Sequence, residues 1–344
     1  MNNKCIKGKI LTEKGFKKGY ILIKQNEKPE IHLGSTQKKT THKNLIIPTF
    51  INAHTHIGDT FIREKNIKLP RDIIKLVAPP DGLKHKLLKK TDQKEIKQGI
   101  IYGLKELEKN GISTFVDFRE NGIKGINILK KSLKKINLSS IILGRPEKNN
   151  PTKKEIVNIL KNSDGIGLSS VIDLEYDIAE KISIQTKKEN KILAFHVSER
   201  IREKIKPILK LKPDYIVHMT KASKKDILQV KKKDIPIIIC PRSNYFFGLK
   251  PKLEQIKKIG NTFFIGTDNF MLNSPSIIDE IKFIQKKFPN LFSIEELLIK
   301  NTYEARKYFN LKDNIPGSSI PNSWIILDQN NLQIKSIFKN VQIG

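Results

Sequence analysis

The sequence predicts an α/β fold, a (β/α)8 TIM-like barrel with a small β-sandwich made from both chain ends. Three observations carry this expectation. From residue 44 onward, short apolar runs alternate with longer helix-compatible stretches, as parallel strands joined by helical crossovers require. Four of those runs end in a side chain that can bind a metal, and a barrel of parallel strands builds its active site at the strands' C-terminal ends. The two ends of the chain read instead as short strands broken by glycine and proline.

Taken in order, residues 4–34 carry strand-like pieces punctuated by Gly8, Gly15, Gly19 and Gly34. The first barrel strand, Leu45 to Ala53, finishes in His54-Thr55-His56. Strand side chains alternate with period two, so both imidazoles face one side and can share a metal ion. Gly58 to about Lys90, including Ala78-Pro79-Pro80-Asp81-Gly82, is the longest irregular stretch. Directly after the first strand, it reads either as a lid over the catalytic mouth or as a surface insertion.

The other strands are Ser113 to Phe118, Ser139 to Leu143, Ile166 to Ile172, Ile192 to Val197, Tyr215 to His218, Pro236 to Cys240 and Thr262 to Thr267. Periodic stretches between them predict helices at Asp92 to Lys109, Gly125 to Lys135, Lys153 to Lys161, Tyr176 to Glu189, Arg200 to Leu211, Lys224 to Lys232 and Leu253 to Lys258. His196 and His218 lie at the ends of the fifth and sixth strands, and Asp268 ends the eighth. After it, Ile277 to Phe288, Ile294 to Lys300 and Thr302 to Phe309 read as helices, and Pro316-Gly317 introduces the strands around Trp324 to Asp328 and Ile334 to Val341. The expected division is 1–47 and 316–344 for the two parts of the sandwich and 48–315 for the barrel.

At 344 residues and 38% hydrophobic content the chain can bury a sizeable core. No apolar stretch reaches the roughly 18 residues of a membrane span, and Met1-Asn2-Asn3-Lys4 leads into strand-like sequence, so a cytoplasmic protein is expected with no membrane partner. Cys5 and Cys240, the two cysteines, are too few for a disulfide framework. The formal charge of +30 invites a nucleic-acid reading, a basic binder on a barrel scaffold. Its lysines, however, alternate with apolar positions in nearly every helical stretch, as in Leu129-Lys130-Lys131-Ser132-Leu133, and lack aromatic interleaving. That is the solvated face of amphipathic helices, so no specific nucleic-acid partner is expected. A homo-oligomer is compatible with the chain.

The segments Pro48 to His56, Phe195-His196-Val197-Ser198-Glu199, Ile216-Val217-His218, Cys240-Pro241-Arg242-Ser243-Asn244 and Gly266-Thr267-Asp268-Asn269, in this order, resemble the amidohydrolase superfamily, in its cytosine deaminase and chlorohydrolase-like branch. The resemblance spans nearly the whole chain. It implies a metal-dependent hydrolase that cleaves carbon-nitrogen bonds other than peptide bonds in a small-molecule substrate by metal-activated water. It implies one divalent metal, zinc first and iron or manganese as alternatives, held by His54, His56, His196 and Asp268. It gives Asp268 and Glu199 proton transfers and gives His218 the orientation of water or the stabilisation of a developing oxyanion. Two-metal relatives bridge with a lysine at the end of the fourth strand. Residues 165–175 contain none, which favours one metal, while Glu120, Asp173 and Glu175 remain candidate bridging carboxylates.

Arg119, Arg145, Arg242 and Asn244 follow the second, third and seventh strands and are the candidate substrate-binding residues. Deamination of an amino-substituted purine, pyrimidine or pterin is the leading reaction, with amide or ring opening as the alternative.

Overall fold

The computed structural model describes residues 4–24, 26–35, 43–78, 81–134, 136–148, 150–315 and 318–343. The expected turn at Pro316-Gly317, the Pro79-Pro80 pair and the first three residues lie outside them. The chain opens with β1 (Lys4–Thr12), β2 (Gly15–Ile23), β3 (Glu30–Leu33) and β4 (Asn44–Pro48). Parallel strands follow: β5 (Phe50–His56), β6 (Ile112–Arg119), β7 (Ser139–Gly144), β8 (Gly165–Leu168), β9 (Ile192–Val197), β10 (Tyr215–His218), β11 (Ile237–Ile239), β12 (Phe263–Ile265) and β13 (Asp268–Asn269). It closes with β14 (Trp324–Asp328), β15 (Ile334–Phe338) and β16 (Gln342–Ile343).

Among the described residues the second group forms one sheet in the order β12-β11-β10-β9-β8-β7-β6-β5-β13. The ends of that order are two halves of the eighth strand: β12 pairs with β11 and β13 with β5. Gly266 N donates to Ile239 O at 2.9 Å and Thr267 N to His54 O at 3.1 Å, so the strand changes partner within two residues and the barrel closes. A side chain at Gly266 would put its Cβ 2.6 Å from that of His54, so only glycine allows the strands to approach at this seam. Helices join the strands, with local reasons for their starts. Lys224–Lys232 begins in a capping box of Ser223 and Asp226, and Thr152 accepts from Glu155 N at the start of Lys153–Asn162.

The chain ends combine in a second sheet, β15-β14-β4-β1-β2-β3-β16. Its strands contribute Ile10, Ile21, Ile31, Ile46, Trp324 and Ile326 to one buried cluster. By compactness the chain divides into residues 1–51, 108–113 and 284–344, and residues 52–107 and 114–283. The apolar run expected as one strand from Leu45 is two, broken at Thr49. Arg306 holds the break open, its Nη1 donating to Thr49 O at 2.7 Å and its Nη2 to Thr49 Oγ1 at 2.8 Å.

Three further expectations need correction. The stretch from Gly58 to Lys90 is not irregular but holds α1 (Thr60–Glu64), α2 (Ile73–Val77) and α3 (Leu83–Lys90), the second started by Asp72, which accepts from Ile74 N and Lys75 N. The fourth barrel strand stops at Leu168, because Ser170 Oγ accepts from Ile172 N at 3.3 Å and turns the chain into a single 3-10 turn. The helix expected from Arg200 starts only at Ile205, because Glu203 N donates to Ser198 Oγ and Glu203 Oε2 accepts from Ser198 N, folding residues 198–203 into a loop.

Candidate active site and metal centre

His54 and His56 end β5, His196 stands one residue before the end of β9, and Asp268 opens β13. Their donor atoms all lie within 4.8 Å of one another. His196 Nε2 is 3.2 Å from His54 Nε2 and 3.3 Å from His56 Nε2, and Asp268 Oδ1 is 3.4 Å and 3.5 Å from the two β5 rings.

The protons on the far sides of two rings decide what these contacts mean. His196 Nδ1 lies 2.9 Å from Leu168 O, a group that can only accept, so Nδ1 carries the hydrogen and Nε2 presents a bare lone pair. His56 Nδ1 donates to the Glu120 carboxylate at 2.8 Å with the same result. Bare lone pairs facing each other at this distance repel unless a cation lies between them. Three imidazoles and a carboxylate therefore fit a divalent metal, and the Glu120 and Leu168 contacts are the outer hydrogen bonds that fix such ligands. Burial and the Lys84 charge push His56 down to about 4. Burial and the neighbouring imidazoles hold His196 well below its ordinary value. Both stay neutral, the form that binds metal.

The backbone makes this convergence possible. Ser198, His218, Met219 and Asp268 have φ values of 49°, 78°, 57° and 60°, left-handed conformations that cost a non-glycine residue about 1–2 kcal/mol each. They fall where β9, β10 and the eighth strand end, and turn the chain there across the barrel mouth.

Asp268 Oδ2 accepts from Ser243 Oγ at 2.5 Å, leaving Oδ1 towards the imidazoles. Burial works against its charge, but the hydrogen bond with His54 and the charges of His218, His54 and His56 hold the carboxyl well below the usual range. Asn244 Nδ2 is 3.1 Å from His218 Nδ1. An amide nitrogen only donates, so the free hydrogen of this ring is on Nε2, 3.4 Å from Glu199 Oε1. Burial pushes His218 down to about 3. Burial, with Asp268 and Asp173 nearby, pushes Glu199 well above the usual carboxyl range. Its backbone is fixed by the Ser198–Glu203 loop and by Thr220 Oγ1, which donates to Glu199 O.

Lys84, on α3, is absent from the sequence-based candidates and is buried beside the ligands. Its Nζ lies 2.6 Å from Glu120 Oε1, 3.0 Å from Asn269 Oδ1 and 3.4 Å from Asp59 Oδ2. Burial alone would lower its pKa, but Glu120 and Asp59 outweigh it and keep the ammonium charged. Glu120 accepts from His56, Lys84 and Arg119 together, and the Lys84 charge, with the His56 hydrogen bond and the Arg119 charge, overcomes burial to hold it well below the ordinary range. Nothing local marks Lys84 among 65 Lys and Arg residues.

The four candidate substrate residues divide. Arg119 Nη2 binds Glu120 at 2.8 Å and is buried, and Gly58 lets it pass, since a Cβ there would lie 1.7 Å from Nη2. Arg242 Nε binds Glu280 at 2.7 Å and its Nη2 binds Ser274 O at 2.7 Å. Both guanidinium groups are committed within the protein, and neither lines the cavity at the metal centre. Arg145 does line it, with Lys84, His85, Asp173, Glu199 and Glu203. Asn244 serves His218. Among the described residues no helix is long and apolar enough to cross a membrane.

Residues 45–315 match the model of the amidohydrolase family. An uncharacterized protein of Methanocaldococcus jannaschii is 37% identical over 83% of this chain and 76% of its own length. Aminofutalosine deaminase of Helicobacter pylori, crystallised with methylthio-coformycin, shares the fold at a TM-score of 0.73 and 15% identity, covering 98% of each chain. A zinc-bound adenosine deaminase of Xanthomonas campestris does so at 0.72 and 13% identity, over 95% of this chain and 85% of that one.

Proposed function

This chain belongs to the amidohydrolase family, and from that premise we propose that it deaminates a small amino-substituted heterocycle. The observation that carries this reading is the meeting of three imidazoles, an ionised carboxylate and, beside them, a protonated carboxyl at the strand ends. The deaminases that share its fold support it. His54, His56, His196 and Asp268 would hold one divalent metal, zinc first. Bound there, it supplies the Lewis acidity that makes water a nucleophile at neutral pH.

The residues do the rest. Asp268 Oδ1 accepts a proton from the attacking water. Glu199, protonated in the resting site, gives its proton to the ring nitrogen beside the reacting carbon and so makes that carbon electrophilic. The His218 Nε2 hydrogen, aimed by Asn244, orients the water and meets the charge growing on its oxygen. The proton left on the new hydroxyl passes through Glu199 to the amino group, and the proton on Asp268 returns to Glu199, restoring the resting site. The carbon-nitrogen bond breaks, ammonia leaves, and the water oxygen remains on the ring. Arg145 is the substrate-facing cation of the set. Two free cysteines fit a reducing, cytoplasmic compartment.

Amide or ring opening uses the same residues and is the second reading. Metal analysis of the purified protein, followed by an ammonia-release screen over purines, pyrimidines and pterins, tests the proposal. Metal-loaded protein that opens an amide or a ring without releasing ammonia from any amino-heterocycle would favour the second reading.

A further inference from the structure

The cavity at the metal centre is small, about 90 Å³, below the roughly 300–1,000 Å³ of most ligand pockets. A second cavity of about 440 Å³ shares His85 and Arg145 with it as a common wall. Lys89 of α3, Lys124 of helix Gly122–Leu133, and Arg145 and Lys148 after β7 line this chamber. None of these four side chains is assigned a hydrogen bond or an ion pair in the described structure, although lysines elsewhere, such as Lys187 and Lys250, are paired. Of the two carboxylates in the lining, Glu120 is already shared by His56, Lys84 and Arg119. That leaves Glu147 against four cations. The 12-residue helix Gly122–Leu133 also begins here, at Asn121, with no side-chain cap; its first N–H, of Gly122, donates to Arg145 O at 3.1 Å.

We propose that this chamber binds the phosphate group of the substrate, whose amino-heterocycle enters the metal-side cavity. The natural substrate is then a phosphorylated, nucleotide-like amino-heterocycle. Four cations from three elements suit a multiply charged oxyanion better than a single carboxylate. The shared wall of Arg145 and His85 places the two ends of one molecule in two chambers. This inference rests on the deaminase reading for the heterocycle end only.

The test is calorimetric and needs no turnover. Inorganic pyrophosphate, adenosine and 5′-AMP are titrated into the purified full chain and into its Lys124→Gln/Lys148→Gln variant, whose exposed side chains hold no contact that the fold needs. Pyrophosphate affinity should fall at least about tenfold in the variant, as expected when two charge-assisted contacts are lost. 5′-AMP should bind the parent protein at least about tenfold more tightly than adenosine, and lose that advantage in the variant. Equal binding of nucleotide and nucleoside, or pyrophosphate binding that ignores the two lysines, overturns the proposal. Lysine-dependent pyrophosphate binding with no gain for the nucleotide also overturns it, since the chamber would then take a free anion. Failure of the deaminase reading shows separately, in metal content and ammonia release.

Discussion

Replacing Glu120 by Gln is the sharpest probe of how the metal centre is held. The carboxylate accepts from His56 Nδ1 at 2.8 Å, Lys84 Nζ at 2.6 Å and Arg119 Nη2 at 2.8 Å. Glutamine keeps the shape and one acceptor but removes the charge that orients the His56 ring and neutralises two buried cations. Loss of such an outer contact to a ligand histidine typically costs about 10- to 100-fold in metal affinity, or about 1.4–2.8 kcal/mol. Leaving Lys84 and Arg119 under-compensated adds a separate folding loss of about 3 kcal/mol, the low end for a broken buried pair because one acceptor survives.

Chelator competition at buffered free zinc reads the first quantity, and urea unfolding of the metal-free protein reads the second. Lys84→Met gives the contrast. It should lose similar folding stability yet bind metal no more weakly than the parent, because it removes a positive charge beside the site. Unchanged metal affinity in Glu120→Gln, or an equal fall in both variants, would refute this account of the Glu120 and Lys84 roles.

The His54→Ala/His56→Ala variant should lose the bound metal, read by elemental analysis of the dialysed protein. Glu199→Gln should keep the metal and lose at least about a hundredfold in turnover, the usual contribution of a positioned acid or base; a normal rate on an established substrate would leave Glu199 no proton to move. Metal-free protein should lose stability as pH falls from about 6.5 to about 4. His56, His218 and His85 have folded values of about 4, 3 and 3, the last lowered by burial and the charges of Lys84 and Arg145. The unfolded chain therefore takes up protons that the folded one refuses, at about 1.4 kcal/mol per pH unit for each ring. The urea midpoint across that range measures it.

What the sequence disclosed follows from where its information is local. The period-two run into His54-Thr55-His56 and the apolar runs before His218 and Asp268 name a strand and the side chain at its end. Their meeting needs only the parallel topology those runs already imply. Lys84 was invisible for the opposite reason. Its role depends on α3 folding over the mouth to meet Glu120, and no periodicity carries that. Arg119 and Arg242 misled because strand-end position says a side chain is near the mouth, not which carboxylate captures it. Glu120 and Glu280 do so, and neither pairing has a short-range signature. The loop at 198–203 escaped as well, since Arg200 to Leu211 is compatible with a helix until Glu203 is seen to bind Ser198.

The eighth strand's change of partner has a kinetic side. Asn52 and Thr267, bonded at 2.7 Å across the seam, are 215 residues apart in sequence, so this is a contact of high order that forms late and slowly. His54 and Asp268 flank that same seam. A cation gripping both would act as a clasp on the first and last turns of the ring, favouring the closed state by mass action. Amide exchange at Thr267, whose N–H bonds to His54 O, would then slow with added metal more than exchange at Ile216, bonded to Pro236 O. The ions a cell supplies would set how long the barrel stays shut.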